Sequence, residues 1–217
     1  MPPARPRPFA SRLYAIVDAD VAARAGWDVP DLADAYLQAG VRVLQVRAKD
    51  AAARDVLTWT ESIARRAGDA WVIVNDRVDI AFVAGTRHVH LGQDDLPVAA
   101  ARAVLGAEAV IGLSTHTPTQ VEDACRLPLD YIAVGPIFGT ATKATGYEAV
   151  GLALLKDAST AAAAAGVPVV AIGGITLDTA PEVIAAGASA VAVITDLLHG
   201  RTPGARARAY VERLGRV

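Results

Sequence analysis

Cationic and amide side chains alternate at the end of one apolar run near the beginning of the chain. Gln45, Arg47 and Lys49 are spaced two residues apart at the end of the run Val43–Arg47. Because successive side chains of a strand point to opposite faces, these three lie on one face. Arginine binds anions through a planar fork and lysine as a compact point charge. The pattern predicts an anion-binding face, with an ordinary solvated strand end as the alternative.

Carboxylates follow the next two apolar runs and predict a site for a divalent cation. Asp76 comes directly after one run, and Asp94 and Asp95 follow the run His88–Leu91. Mg2+ takes one or two protein carboxylates and fills its other positions with water and substrate phosphate. Helix capping is the alternative, above all for Asp94. We therefore expect Asp76 and one of the two later aspartates to hold the cation.

Hydroxyl groups, glycines and one further lysine follow the later apolar runs. Their side-chain and backbone donors suit an anion, although a flexible loop or a plain turn explains the glycines equally well. Only 3 of the 21 cationic residues are lysines, which favours a specific role for the lysines near these loops. The segments are residues 114–117, 135–143, 173–174 and 194–195.

Two histidine patterns suggest other chemistries. His88 and His90 share a strand face, as zinc ligands do, but no third ligand stands at a nearby spacing, so a structural role is favoured. Ser114 and His116 suggest a nucleophile and its base, but no third orienting group is evident. Thr117 before a proline is typical of a helix cap.

Eight short aliphatic runs are the elements that would position these side chains. Their continuous apolar character, rich in Val and Ile, is typical of strands buried on both faces of a parallel sheet. Helical segments with glycine stops separate them. This alternation predicts an α/β fold, a (β/α)8 TIM barrel in a single domain. The runs are residues 13–17, 43–47, 71–75, 88–91, 110–114, 131–134, 169–172 and 190–194.

A doubly wound open sheet is the alternative architecture. Such sheets usually have fewer strands at this length, and many carry a glycine-rich nucleotide turn after the first strand. Here Val17 is followed by Asp18, Ala19 and Asp20, and no G-x-G-x-x-G or Walker-type motif is present. The barrel is favoured, and the polar residues above then lie at the carboxyl ends of its strands, where barrel enzymes build their sites.

Composition places the chain among globular proteins. Its 217 residues are 53% hydrophobic and 20% charged, with a formal net charge of −2. This length favours one domain. We expect residues 1–11 to form a short proline-rich tail and residues 12–217 to form the catalytic barrel.

The same composition argues against several partners. Nucleic-acid and membrane-surface binders usually carry a clustered basic excess, which this chain lacks. The uncharged residues 158–177 have the length of a membrane span, but their alanine run, glycine and proline predict a helix end, a loop and a strand. The single Cys125 favours a reducing, cytoplasmic compartment. Association with further copies of the chain is left open.

The ordered polar residues over residues 12–198 resemble the thiamine-phosphate synthase family. Each fragment alone is weak, whereas the set on successive strand ends is specific. The matching motifs are Gln45-x-Arg47-x-Lys49, Asn75-Asp76, Gly92-Gln93-x-Asp95, Ser114-x-His116-Thr117, Gly135-Pro136-x-x-x-Thr140-x-Thr142-Lys143, Gly173-Gly174-Ile175 and Ile194-Thr195.

The resemblance implies a barrel enzyme that joins an aminopyrimidine methyl diphosphate to a thiazole phosphate, or to its carboxylated form, and releases diphosphate by a dissociative substitution. It implies Mg2+ as cofactor, with Asp76 and Asp95 as ligands. The positions matching the pyrimidine diphosphate site are Gln45, Arg47, Lys49, Asn75, Ser114 and Lys143, among which Arg47, Lys49, Ser114 and Lys143 match the catalytic positions. The positions matching the thiazole phosphate site are Thr140, Ala141, Thr142, Gly174, Ile194 and Thr195.

Three positions depart from the family pattern. Gly139 stands where proline is common, Ala48 where an acidic residue is frequent, and Thr195 where serine is common. None of them removes a ligand or a charge that the resemblance implies. They bear on loop stiffness and substrate affinity more than on the type of reaction.

Other functions remain as alternatives. A thiazole tautomerase of similar fold would use His116 for proton transfer and would need no diphosphate site. A non-catalytic paralogue that binds a thiamine precursor is a second alternative, and an isomerase or aldolase of sugar phosphates is a third. The set Arg47, Lys49, Asp76, Asp95 and Lys143 favours the synthase over the tautomerase.

Overall fold

The computed structural model describes residues 9, 11–139 and 148–215, which contain eight parallel strands. Each strand pairs with the next along the chain, and the last pairs with the first, so the sheet is a closed barrel. This closure confirms the TIM barrel and excludes the open sheet. The strands are β1 (Leu13–Asp18), β2 (Val43–Arg47), β3 (Trp71–Asn75), β4 (His88–Leu91), β5 (Val110–Thr115), β6 (Tyr131–Val134), β7 (Val169–Ile172) and β8 (Ala190–Val193).

Helices alternate with the strands and cover the outside of the barrel. A 3-10 segment, Thr195–Arg201, follows β8. None of the helices in the described ranges combines the length and the apolarity that a membrane crossing requires. The helices are α1 (Ala19–Arg24), α2 (Val29–Gln38), α3 (Ala53–Ala64), α4 (Val78–Val83), α5 (Val98–Leu105), α6 (Pro118–Ala124), α7 (Gly151–Ala164), α8 (Ala180–Ala185) and α9 (Pro203–Leu214).

The observed strands match the predicted ones to within one residue. β1 and β5 are each one residue longer, because Asp18 pairs with Arg47 and Thr115 continues the ladder to β6. β8 is one residue shorter, because Ile194 leaves the extended region with ψ at −83°. The uncharged residues 158–177 contain the end of α7 and all of β7, as the sequence predicts.

Alternate strand residues fill the barrel interior, and the others pack against the helices. On β2, Val43 belongs to the interior cluster, so Gln45 and Arg47 follow it inward at period two. This confirms the predicted shared face for Gln45 and Arg47 and places it inside the barrel, whereas Lys49 lies beyond the end of β2. The interior apolar cluster consists of Phe9, Tyr14, Ile16, Val43, Ile73, Val110, Tyr131, Ala133, Val170, Ala190 and Ala192.

Aromatic rings close the amino-terminal end of the barrel. Phe9 belongs to the tail that the sequence predicts, yet it is only 4% exposed. Its ring lies edge-on to those of Tyr131 and Trp71, at centroid distances of 5.3 and 5.7 Å. The interior beneath the strand ends is therefore a packed core, and ligands have access from the carboxyl end.

Gly112 on β5 makes room for the ring of Tyr131 on β6. A Cβ atom at this position would lie 2.0 Å from Tyr131 Cζ and 2.4 Å from its hydroxyl oxygen. Real Cβ atoms do not approach a ring this closely, so a side chain here would displace the tyrosine. The absence of a side chain at residue 112 therefore fixes where the Tyr131 hydroxyl lies.

We expect Gly112→Ala to lower the free energy of unfolding by about 1–3 kcal/mol, because the added methyl group overpacks the interior. Urea denaturation followed by circular dichroism measures the change. Gly139→Ala is the matched control, since no atom of the described residues beyond its chain neighbours lies within 4 Å of its added Cβ, and its φ is outside the left-handed region. Equal stability of the two variants would contradict the packing argument.

Candidate active site

An ion pair between β1 and β2 brings a cation to the barrel mouth, the end formed by the carboxyl ends of the eight strands. Arg47 Nη1 donates to Asp18 Oδ2, and the two side chains are only 12% and 3% exposed. Asp18 Oδ1 also accepts the backbone N–H of Val21 and so caps α1. The carboxylate holds the guanidinium in place, and the buried Arg47 Nε–H has no acceptor among the described residues.

Lys49 and Asp76 meet across the mouth between β2 and β3. Lys49 Nζ lies 3.7 Å from Asp76 Oδ2. Asp76 has a φ of 63°, a left-handed conformation that is uncommon outside glycine and is enriched at functional sites. Its backbone N–H donates to the carbonyl of His90, which holds this conformation. Capping does not explain Asp76, because α4 has no side-chain cap.

Asp95 lies in the turn that follows β4. Its Oδ2 accepts the backbone N–H of Gly92 at 2.6 Å. A Cβ atom on residue 92 would lie 2.9 Å from the same oxygen, so the turn favours glycine there. The capping alternative for Asp94 is wrong, because Pro97 precedes the first residue of α5 and no side chain caps that helix.

The chemistry of these carboxylates fits Mg2+. Asp76 and Asp95 are hard oxygen donors that follow neighbouring paired strands, β3 and β4. The described ranges contain no group of three or more histidine, cysteine or acidic side chains able to hold a metal. Mg2+ does not need such a cage, because it keeps several waters and binds substrate phosphates. Two carboxylates that follow paired strands, one of them beside Lys49, match that preference.

The histidines on β4 serve the structure in the way the sequence favours. His88 Nδ1 accepts the backbone N–H of Val110 on β5. His90 is 8% exposed, and its two ring nitrogens lie 2.9 Å from the Tyr131 hydroxyl and 2.9 Å from Ser114 Oγ. Both rings therefore make hydrogen bonds within the barrel wall, and zinc is not needed to explain them.

Ser114 lies inside the mouth, and its hydroxyl is hydrogen-bonded to His90. Its backbone carbonyl accepts Gln93 Nε2 at 2.5 Å. His116 Nδ1 donates to the carbonyl of Gly135 at 2.6 Å, so this imidazole supports the loop after β6. These contacts pair Ser114 with His90 and His116 with the loop after β6, and they give no support to the Ser114–His116 alternative. Thr117 caps α6 through Gln120 N, as predicted.

Glycines allow the loops after β6 and β7 to touch. Ile137 N donates to the carbonyl of Ile172, and Phe138 N donates to the carbonyl of Gly173. A Cβ atom on Gly173 would lie 2.5 Å from Pro136 Cβ, and φ at this glycine is 103°. Close approach of two loops therefore requires glycine here, whether or not a phosphate binds.

Two cavities open side by side at the mouth. The larger has a volume of about 390 Å³ and is lined by Gly174, Ile194 and Thr195, three residues predicted for the thiazole phosphate. The narrower one is lined by residues predicted for the pyrimidine diphosphate, including Gln45, Arg47, Asn75 and Ser114. The residues common to both linings are Ser114, Ala133, Ile172, Ala192 and Ile194.

The remaining predicted site residues fall where the structure gives no description. Lys143, predicted for catalysis and for the pyrimidine diphosphate, lies outside the described residues, as do Thr140, Ala141 and Thr142. Asp18, Tyr14, Tyr131 and His90 belong to the mouth or its floor, although the sequence assigns none of them to a substrate site. In the sequence, each is marked only as a polar residue at an inward-facing position of an otherwise apolar strand. Spacing alone does not distinguish a site residue of this kind from one that packs in the core.

Comparisons with known proteins agree with this geometry. A family model described as thiamine monophosphate synthase matches residues 13–197. The chain is 43% identical to a thiamine-phosphate synthase from Acidothermus cellulolyticus, over 94% of this chain and 95% of that one. It is 42% identical to the thiamine biosynthesis bifunctional protein ThiM/ThiE from Symbiobacterium thermophilum, but covers only 44% of that longer relative.

A solved structure extends the similarity to three dimensions. The thiamine phosphate pyrophosphorylase from Pyrococcus furiosus superposes with a TM-score of 0.81 at 27% identity, over 94% of this chain and 97% of that one. The family match covers all eight strands and, apart from His199, the linings of both cavities. The chain therefore belongs to the thiamine monophosphate synthase family.

Proposed function

We propose that this chain is a Mg2+-dependent thiamine-phosphate synthase that joins an aminopyrimidine methyl diphosphate to a thiazole phosphate. The observation that carries the proposal is the shared wall of the two cavities, which Ser114 and Ile194 help to form. The narrow cavity has the Arg47 cation and the Gln45 and Asn75 amides in its lining, and the other is larger and is bordered by glycine. Two substrates bound in adjoining cavities would meet at this wall, as a condensation requires.

The cationic cavity suits the diphosphate. Arg47 is already oriented by Asp18 and retains a buried Nε–H without an acceptor among the described residues. Lys49 stands beside Asp76 at the rim. When the carbon–oxygen bond to the diphosphate breaks, the electron pair leaves with the diphosphate, and these fixed cations stabilise the added charge.

Asp76 and Asp95 are the residues that would hold Mg2+. Bound there, the ion would neutralise charge on the diphosphate and lower the barrier to its departure. The chain's own contribution is the left-handed backbone of Asp76, whose carboxylate lies beside Lys49, and the turn at Gly92, which orients the Asp95 carboxylate after β4. Lys143 is proposed as a further cation at the diphosphate, from the sequence alone.

The larger cavity suits the thiazole phosphate. We assign its phosphate to Gly174 and Thr195, with Thr140, Ala141 and Thr142 as further contacts on the basis of the sequence. The thiazole nitrogen then supplies the electron pair for the new carbon–nitrogen bond to the pyrimidine methylene. No proton has to be moved in this step, and no protein nucleophile is needed.

A turnover assay tests the proposal directly. Purified protein is incubated with both precursors and Mg2+, and thiamine phosphate and diphosphate are quantified by chromatography. We expect equal amounts of both products and their loss when EDTA is added. Binding of the thiazole phosphate without any product would favour the tautomerase or the non-catalytic paralogue instead.

His116→Ala separates the synthase from the tautomerase. His116 lines the larger cavity, and its Nδ1–H is engaged by the Gly135 carbonyl. Because the proposed substitution moves no proton, we expect synthase turnover to fall by less than about tenfold, the change that a loosened loop contact of roughly 1.4 kcal/mol would cause. Steady-state kinetics with both substrates measures it. Near-complete loss of synthase activity in a folded variant would contradict the assignment.

A further inference from the structure

A chain of hydrogen bonds crosses the barrel beneath the mouth and joins five strands. Gln45 Nε2 donates to the Tyr14 hydroxyl at 2.5 Å, and the Tyr14 and Tyr131 hydroxyls are 3.0 Å apart. The Tyr131 hydroxyl lies 2.9 Å from His90 Nδ1, and His90 Nε2 lies 2.9 Å from Ser114 Oγ. The chain begins and ends on residues that line the narrow cavity.

Burial fixes the protonation states of the two tyrosines in the middle of this chain. Tyr14 and Tyr131 are 1% and 0% exposed. Desolvation raises the pKa of both phenols well above the usual value, so each keeps its single proton at neutral pH. Each hydroxyl therefore donates one hydrogen bond, and a buried hydroxyl that failed to donate would carry a penalty.

This requirement gives the chain a direction. Tyr14 accepts from Gln45, so its own proton goes to Tyr131, its other hydrogen-bond partner among the described residues. Tyr131 then donates to His90 Nδ1, which leaves the proton of the neutral imidazole on Nε2. His90 Nε2–H donates in turn to Ser114 Oγ, and the Ser114 proton is left for a ligand.

We propose that Tyr14, Tyr131 and His90 are positioning residues that polarise this chain, making Ser114 a hydrogen-bond donor and Gln45 an acceptor toward the bound pyrimidine. Gln45 donates one amide N–H to the Tyr14 hydroxyl, and its carbonyl oxygen accepts no hydrogen bond from the described residues. The two ends of the chain thus offer the cavity opposite polarities. His90 acts on the ligand only through Ser114.

The polarity matches one class of pyrimidine. An aminopyrimidine presents an N–H donor beside a ring nitrogen acceptor, which pair with the Gln45 carbonyl and the Ser114 hydroxyl. The 4-oxo analogue presents an acceptor beside an N–H donor, so both contacts would become repulsive. A site built in this way rejects the analogue because its own polar groups are left unpaired. This part of the inference rests on the proposed function.

The tautomer of His90 tests the direction of the hydrogen-bond chain without any ligand or activity measurement. We would record ¹⁵N spectra of the full-length protein labelled in histidine, with His90 assigned by its loss in His90→Gln. The expected spectrum shows His90 neutral, with the proton on Nε2 and an accepting Nδ1. A proton on Nδ1 would reverse the direction and overturn the proposal, even if the turnover assay succeeds.

Tyr131→Phe interrupts the hydrogen-bond chain at its middle and keeps the ring that packs over Gly112. We expect the fixed tautomer of His90 to be lost and a mixture of both forms to appear. Tyr36→Phe is the matched control, because Tyr36 is 0% exposed and its buried hydroxyl has no partner among the described residues. An unchanged His90 spectrum in Tyr131→Phe would overturn the proposal, and Tyr14→Phe replaces this variant if it does not fold.

Selectivity supplies the second measurement. Dissociation constants of the aminopyrimidine methyl diphosphate and its 4-oxo analogue are measured by calorimetry in the presence of Mg2+. Binding is measured instead of turnover because the amino group also affects the rate of the reaction electronically. We expect Tyr131→Phe to reduce the preference for the amino compound by about tenfold, as the loss of one oriented hydrogen bond would. Tyr36→Phe keeps the full preference. Equal preference in both variants would contradict the role in selectivity.

Discussion

Asp76→Asn is expected to lower kcat/KM by at least about 100-fold while the fold is retained, because the loss of one carboxylate weakens the site that would hold Mg2+. Asparagine is isosteric and tolerates the left-handed conformation that residue 76 adopts, with φ at 63°. The backbone hydrogen bond to the His90 carbonyl is also preserved. The effect therefore reports on the charge of the side chain. Initial rates over a Mg2+ titration measure it.

Asp79→Asn is the matched control for this prediction. Asp79 lies three residues further on, in α4, and its side chain is 64% exposed and pairs with Arg77. Exposed ion pairs contribute little, so we expect both rate and stability to stay near those of the unmodified chain. Mn2+ binding followed by electron paramagnetic resonance gives a readout apart from activity. Unaltered metal affinity in Asp76→Asn would refute the ligand assignment.

Arg47→Met is expected to reduce both turnover and stability. The variant loses the guanidinium proposed to stabilise the departing diphosphate, which we expect to cost about 100- to 1,000-fold in kcat/KM. It also leaves Asp18 buried without its cation, which costs about 3–5 kcal/mol of unfolding free energy when a buried pair is broken. Steady-state kinetics and urea denaturation measure the two effects separately.

Arg102→Met provides the control in which an ion pair is lost away from the mouth. Arg102 pairs with Asp130, which precedes β6 at the opposite end of the barrel, and the two side chains are 19% and 18% exposed. This variant should lose stability and keep its turnover number under conditions where it is folded. If Arg47→Met also kept its turnover number, Arg47 would have only a structural role, and the proposed diphosphate site would be wrong.

The strands could be predicted from the sequence because each is a continuous apolar run with polar residues at its end. Strands buried on both faces require that composition, so β2, β3 and β7 were predicted with the bounds they have. The predicted inward face of Gln45 and Arg47 follows from the same period of two. Closure of the sheet, by contrast, depends on pairing between β1 and β8, which are far apart in sequence. The spacing of the apolar runs favours this pairing but does not establish it.

Which polar side chains contact each other at the site could not be predicted from the sequence in the same way. Ser114 is two residues from His116, yet its hydroxyl lies against His90, 24 residues away. Neighbouring parallel strands bring residues of distant sequence together, whereas the chain leaves β5 after Thr115 and places His116 against the loop after β6. Asp18 likewise gained its role only from its register with Arg47.

The sequence by itself determined which side chains stand at the strand ends, since period and composition decide where a buried strand stops and its polar residues begin. The resemblance of those residues to one family gave their expected roles. Only the tertiary structure decided which polar groups meet, because hydrogen bonds across a barrel depend on the register of five strands and on the space that Gly112 leaves for Tyr131. The direction of the hydrogen-bond chain between Gln45 and Ser114 is a property of that packing, because each buried hydroxyl group needs an acceptor for its proton.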